Sequence, residues 1–240
     1  IIIHMFKDLF GKAMLDFATN NNPENIVTET NISEADEMDV SYLFRSFKEM
    51  PKLEQKALKL AKGKILDVGC GAGSHALYLQ ENDFEVMAID ISANAIETCK
   101  LRGINNAVVL NLLEIDTTLK FDTIYLLMNG TGIFGKLKNI DQYLSKLKEL
   151  LTPTGQILID SSDIVYMFDE DEDGGKWIPM YSDYYGELIF NVSYKGEQEE
   201  PFDWLYLDYN TLQNACIAQN LNCELVTEGD HFDYLARITK

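Results

Sequence analysis

The feature that most restricts this chain is KILDVGCGAGSHALYL at residues 64–79: an apolar run ending on an acid, three glycines at alternate positions, then a helical pattern. A strand entering Asp67 and a helix leaving near Ser74 put Gly69, Gly71 and Gly73 in the tight connection between them. Only glycine lets backbone come this close to a ligand with unrestricted φ. The chain around this turn repeats the same grammar. Short apolar runs, EVMAID, AVVLN, FDTIYLLMN and QILIDSS, alternate with helical segments at 92–102 and 141–151. Such alternation specifies an α/β fold, doubly wound, with a mainly parallel sheet covered by helices on both faces.

The spacing at the turn is D-x-G-x-G-x-G, whereas a dinucleotide fingerprint needs glycine at position 74, occupied here by Ser74. A carboxylate at the strand end repels a pyrophosphate but holds a cationic amino group. The expected ligand therefore carries an ammonium where a dinucleotide carries phosphate. A second strand ends at Asp90, at the distance past the glycines where an acid hydrogen-bonds ribose hydroxyls, and Ile91 beside it is placed to pack on a purine. An NAD- or FAD-binding domain is the competing reading.

From about residue 64 to 160 the chain resembles the class I S-adenosylmethionine-dependent methyltransferases, motif by motif and in order. The resemblance implies a seven-stranded Rossmann-like sheet and S-adenosylmethionine as cofactor. It implies that Asp67 meets the methionine amino group, that backbone at Gly69, Cys70, Gly71 and Gly73 lines the methionine and ribose, and that Asp90 grips both ribose hydroxyls. The family's third strand usually ends in an acid that takes the adenine amine. Here Asn111 and Leu112 stand there, an uncharged substitute. The fourth strand is expected to deliver Asn129, Gly130 and Thr131 beside the transferable methyl. This stretch is not an Asn-Pro-Pro-Tyr tetrad, so the resemblance leaves the acceptor atom open. Tyr42 and Arg45 resemble residues by which N-terminal helices of the family close over the methionine carboxylate, with a solvated surface charge as the other reading of Arg45. Some proteins of such folds bind the cofactor without transferring methyl, and that alternative stays open too.

The flanks are expected to form a helical cap at 1–62 and a methyltransferase domain at 63–240, with residues after about 162 as a substrate-side addition. Phe6, Leu9, Phe10, Ala13 and Phe17 fall at helical spacing, as do Val40, Leu43, Phe44 and Phe47. The polar TNNNPENIVTETNIS between them reads as linker, Pro51 opens a helix that Gly63 closes, and residues 1–4 are set aside as extraneous. Beyond Ser162, ELIFNVSYKG, DWLYLDY and HFDYLARIT suggest antiparallel strands at the sheet edge, with a helix near 211–219. Both tryptophans and eight of the twelve tyrosines follow Asp160, fit either for an aromatic acceptor pocket or for packing of the β-rich segment.

Composition narrows the partners. Asp and Glu number 39 against 20 Lys and Arg, a formal charge of -19 that repels nucleic acid. A small-molecule acceptor is expected, with a protein acceptor as the other possibility. No run of about 18 apolar residues and no apolar leader is present, so a cytoplasmic protein without membrane contact is expected. The oligomeric state is not legible. Cys70, Cys99, Cys216 and Cys223 have no metal-ligand spacing and read as reduced thiols, with no metal site. DEDEDGG at 169–175 matches half a calcium loop, but position twelve is Met180 rather than glutamate, so a solvated loop is expected. His75, in the first turn after the glycines, and Asn129 are the candidate catalytic residues. A plain helix-surface histidine is the other reading of His75, and His231, before the last strand, carries less information.

Overall fold

A computed structural model describes residues 7–171, 173, 175–178 and 183–240. In chain order its elements are α1 (Leu9–Ala18), β1 (Ile26–Thr30), β2 (Ser33–Met38), α2 (Lys52–Lys59), β3 (Ile65–Val68), α3 (Ser74–Glu81), β4 (Val86–Asp90), α4 (Ala93–Leu101) and β5 (Ala107–Val109). They continue with β6 (Phe121–Leu126), α5 (Ile140–Leu150), β7 (Leu151–Ser162), β8 (Glu187–Tyr194), β9 (Glu197–Gln198), β10 (Phe202–Leu205), α6 (Tyr209–Ala218), β11 (Asn222–Glu228) and β12 (Asp233–Thr239).

The main sheet has seven strands in the order β11-β12-β7-β6-β3-β4-β5. Pairs β3–β4, β3–β6, β4–β5 and β6–β7 are parallel, and β12 lies antiparallel to both β7 and β11. All four residues of β3 are buried, which is why its sequence is nearly continuous apolar instead of alternating. One apolar cluster includes Leu66, Phe121, Ile124, Leu144, Leu147 and Ile157. A second takes Leu53, Ala57, Ile65, Leu79, Ile96 and Tyr125. Strand order reverses about β3, and α/β sheets open their ligand crevice at such a point, outside the carboxyl ends of the strands.

The flanks depart from the sequence reading. The stretch expected as linker supplies β1, which forms a hairpin with β2, so the N-terminal segment is only partly helical. Strand β1 pairs with β8, and β8 with β9 and β10, giving a separate five-stranded antiparallel sheet. Of the late strands expected at the main sheet's edge, only β12 goes there, joined by β11, which sequence reading missed. The expected helix at Val40 is a short 3-10 turn, Val40–Phe44. Leu9, Ala13, Ile26, Val40, Val192 and Tyr194 form a core between α1 and the second sheet. Met14 on α1 packs with Ala72 and Ala95, so the same helix also covers the glycine turn.

Within the acidic run, Gly175 N donates to Asp171 Oδ1 at 2.6 Å and Lys176 pairs with Glu170 at 2.7 Å. Its described residues thus fold back on themselves. Met180, the position that decides the calcium reading, and Phe6 lie outside the described residues. Among the described residues no helix is long and apolar enough to cross a membrane, and no group of three His, Cys, Asp or Glu side chains could hold a metal ion.

Candidate functional site

Strand β3 ends in a turn where Gly69, Gly71 and Gly73 have φ of +69°, +52° and +79°. An L side chain is strained at such values, and a Cβ on Gly73 would lie 2.8 Å from Cys99 Sγ. The N–H groups of Gly69 and Cys70 donate to Ile89 O at 2.9 and 3.0 Å, which staples the turn to β4. Asp67 faces this turn with 2% exposure, and its Oδ2 has no hydrogen-bond partner among the described residues. Burial pushes its carboxyl up to about 6, with the charge of His75 pulling the other way. A buried carboxylate oxygen left unpaired is costly unless a cationic ligand group completes it.

Asp90, at the end of β4, accepts Gly71 N at 3.0 Å and Ser92 N at 2.9 Å, one on each oxygen. Burial raises its carboxyl above the usual range. Each oxygen keeps a lone-pair site for a ribose hydroxyl. Ile91 beside it is 60% exposed, an apolar face without cover. Asn111 caps the 3-10 turn Leu112–Glu114, its amide oxygen accepting Leu113 N at 2.9 Å. That oxygen is partly committed before any adenine contact, and the Leu112 side chain is buried in the core, which leaves only its amide for a ligand.

Past β6, Met128 and Asn129 both adopt left-handed backbone, φ 66° and 60°. The buried carboxylate of Asp160 holds this turn by accepting Met128 N at 3.0 Å and Gly130 N at 2.9 Å. Burial pushes Asp160 up to about 7 against those two hydrogen bonds. Ser161 Oγ donates to Asn129 Oδ1 at 2.9 Å and lies 2.6 Å from Thr131 Oγ1. Consecutive strained residues held by a buried carboxylate at a strand end mark a place where geometry is imposed, not relaxed.

Arg45 and His75 are not surface residues. Arg45 is 7% exposed, its Nη2 donates to Glu54 Oε1 at 2.5 Å, its Nη1 donates to Tyr42 O at 2.6 Å, and its guanidinium lies 4.1 Å from the centre of the Tyr42 ring. His75 Nε2 is 2.6 Å from Glu54 Oε2. Burial pulls the imidazole down, but Glu54 and Asp67 outweigh it and hold His75 above its ordinary value. Glu54 lies below the usual carboxylate range because His75 and Arg45 overcome its burial. The surface-charge reading of Arg45 and the plain-surface reading of His75 are thereby corrected: Glu54, absent from the sequence-based site, collects both. Its signal was present, since Glu54, Ala57, Leu58 and Ala61 are spaced i, i+3, i+4, i+7 and put a carboxylate on the buried stripe of α2. Asp160 was missed for a similar reason, as the last residue of an apolar run. His231 is exposed and takes no part in the site.

Comparison with known proteins bears on the family and the fold. A family model described as a methyltransferase domain matches residues 59–206. A crystal structure of an S-adenosylmethionine-dependent methyltransferase from Bacteroides fragilis, in complex with S-adenosyl-L-homocysteine, is similar at 47% identity and a TM-score of 0.89, covering 97% of this chain and 94% of that one. A ubiquinone biosynthesis O-methyltransferase of Rickettsia akari is 33% identical over 101 residues, 42% of this chain. The chain spans only 40% of that relative's length. A sugar N-methyltransferase of Streptoalloteichus, at 14% identity and a TM-score of 0.59, covers 87% of this chain and 95% of its own, and shares the fold.

Proposed function

Because the chain belongs to the methyltransferase-domain family, matched over residues 59–206, we propose that it transfers a methyl group from S-adenosylmethionine to a small-molecule acceptor. The observation that carries this reading is the unpartnered, buried Oδ2 of Asp67 beside three glycines of positive φ. That pairing fits a ligand with an ammonium at one end and a flat, backbone-lined body, and it disfavours a dinucleotide.

In this reading Asp67 holds the methionine amino group, Asp90 the ribose hydroxyls, and Ile91 with the Asn111–Leu112 backbone the adenine. Arg45 and Tyr42 serve the carboxylate end. The cofactor supplies a methyl group already made electrophilic by its sulfonium. What remains for the protein is alignment of an acceptor in line with the breaking bond and exclusion of water. The Met128–Asn129 turn serves that alignment, with Asn129 tied to Ser161. The small-molecule acceptor is supported by the charge of -19 and by relatives whose names specify ubiquinone biosynthesis or a sugar.

A thermal-shift series with S-adenosylhomocysteine, S-adenosylmethionine, NAD and FAD tests the reading. A ligand at about a hundredfold over its dissociation constant stabilises by roughly 2.7 kcal/mol. A shift with the two adenosyl sulfur compounds alone is expected, and a shift with NAD would overturn the cofactor assignment. Formation of S-adenosylhomocysteine on addition of candidate acceptors separates transfer from mere binding.

A further inference from the structure

The ion network behind the glycine turn is larger than a carboxylate contact requires. Arg45 brings five N–H donors. One goes to Glu54 and one to the Tyr42 carbonyl, while the buried Nε has no partner among the described residues. Asp67 Oδ2 is likewise buried and unpaired. Glu54 meets Arg45 at 2.5 Å and His75 at 2.6 Å, and the charge of His75 acts in turn on Asp67.

Resting on the cofactor reading above, we propose that Glu54 is a positioning residue for capture of the cofactor's amino-acid end, fixing Arg45 with one oxygen and His75 with the other. The donor at Arg45 Nε and the acceptor at Asp67 Oδ2 then stand prearranged for carboxylate and ammonium. Charge arithmetic agrees with the assignment. With His75 protonated and Asp67 ionised, the two positive charges of Arg45 and His75 match the two negative charges of Glu54 and Asp67, and a zwitterionic amino-acid end adds no net charge to these four groups.

His75 from α3 and Arg45 from ahead of α2 both act on Glu54. Glu54, Asp67 from β3 and Arg45 act on His75, and both Glu54 and His75 act on Asp160 from β7. Neutralising Glu54 therefore removes the main support of the imidazolium. It also frees Arg45 to turn, because a guanidinium fork loses its orientation when its planar carboxylate partner goes.

The test compares two ligands by calorimetry across pH. S-Adenosylhomocysteine carries the amino-acid end, whereas 5′-deoxy-5′-methylthioadenosine has the same adenine, ribose and thioether sulfur without it. Glu54→Gln is expected to weaken the first by about tenfold or more while changing the second by less than about threefold, since one arm of a buried charged network is lost. Glu54→Asp, which keeps the charge, is expected to recover part of the loss. The pH dependence of S-adenosylhomocysteine affinity is expected to change shape in Glu54→Gln, a readout that general loosening of α2 would not move. Equal losses for both ligands, or an unchanged affinity and pH profile, would overturn the proposal. Should Glu54→Gln not fold, His75→Gln cuts the other arm, and unchanged discrimination between the two ligands there overturns it as well. Failure of the wild-type protein to bind S-adenosylhomocysteine at all would instead remove the cofactor reading itself.

Discussion

Asp90 organises the glycine turn as well as standing as the proposed ribose partner. Its carboxylate ties Gly71 of the turn to Ser92 at the start of α4, so one side chain sets where the backbone can line a ligand. Removing it in Asp90→Ala deletes two charge-assisted hydrogen bonds together with the proposed ribose contact. The expected loss of S-adenosylhomocysteine affinity is about 2 kcal/mol or more, roughly thirtyfold, measured by calorimetry. Unchanged affinity would sink the ribose assignment. Asp67 gives a pH signature of its own. Its carboxyl is raised from 3.8 to about 6 by burial, so the folded protein holds this proton more tightly than the unfolded chain does. Its contribution to stability is full below the unfolded value and is lost as pH rises through about 6. An ammonium partner needs the ionised form. Binding of S-adenosylhomocysteine is therefore expected to weaken as pH falls below about 6, releasing a proton in that window, and to level off above it. Calorimetry in buffers of different ionisation enthalpy counts the proton, and a flat profile would remove Asp67 from the ammonium role.

At the scale of elements, the turn after β6 depends on an acid from the neighbouring strand. Asp160 accepts two N–H groups of a backbone that is left-handed at Met128 and Asn129. Asparagine in its place would aim its own N–H₂ at one of those donors. Asp160→Asn is expected to cost about 2 kcal/mol and to lower the melting temperature by roughly 5 °C. A melting temperature within about 1 °C of wild type would mean the turn keeps its shape unaided. The central parallel strands were legible because they are buried on both faces: ILDV on β3 has no exposed residue, so an apolar run and a glycine turn suffice to place it. The second sheet was not legible. In β2, SEADEM has only polar and acidic residues apart from Ala35 and Met38, with no apolar face to reveal a strand. Its neighbour β1 finds its other partner, β8, across most of the chain, as in Val27 opposite Ser193. The Arg45–Glu54–His75 network was hidden for a related reason, since spacing along α2 exposes Glu54 as misplaced on a buried stripe but not what it meets.

Across the whole molecule, α1 joins two bodies that sequence reading kept apart. One face of α1 packs on the second sheet through Leu9 and Ala13, and another reaches the glycine turn through Met14. Asp8 at its start accepts the backbone and side-chain N–H of Asn94, at 3.1 and 2.9 Å, which fastens the helix to α4. Close approach here depends on Gly11, where an added Cβ would run into Ser92 and Asp8. The second sheet is docked again at its far end, where Gly132, just past the Met128–Asn129 turn, leaves room for the indole of Trp204 on β10. The sheet thus touches both ends of the crevice, through α1 at the glycine turn and through Trp204 at the turn after β6. Ordering the crevice should therefore reach a sheet with no strand in the main fold, because local openings that separate α1 from the turn are suppressed when a ligand fills the space beneath it. Hydrogen exchange read by mass spectrometry is expected to slow in α1, β1 and β8 when S-adenosylhomocysteine is added, while β11 at the opposite edge exchanges as before. Protection confined to the glycine turn and α3 would mean that α1 is a passive cover and that the second sheet folds and opens independently of the cofactor.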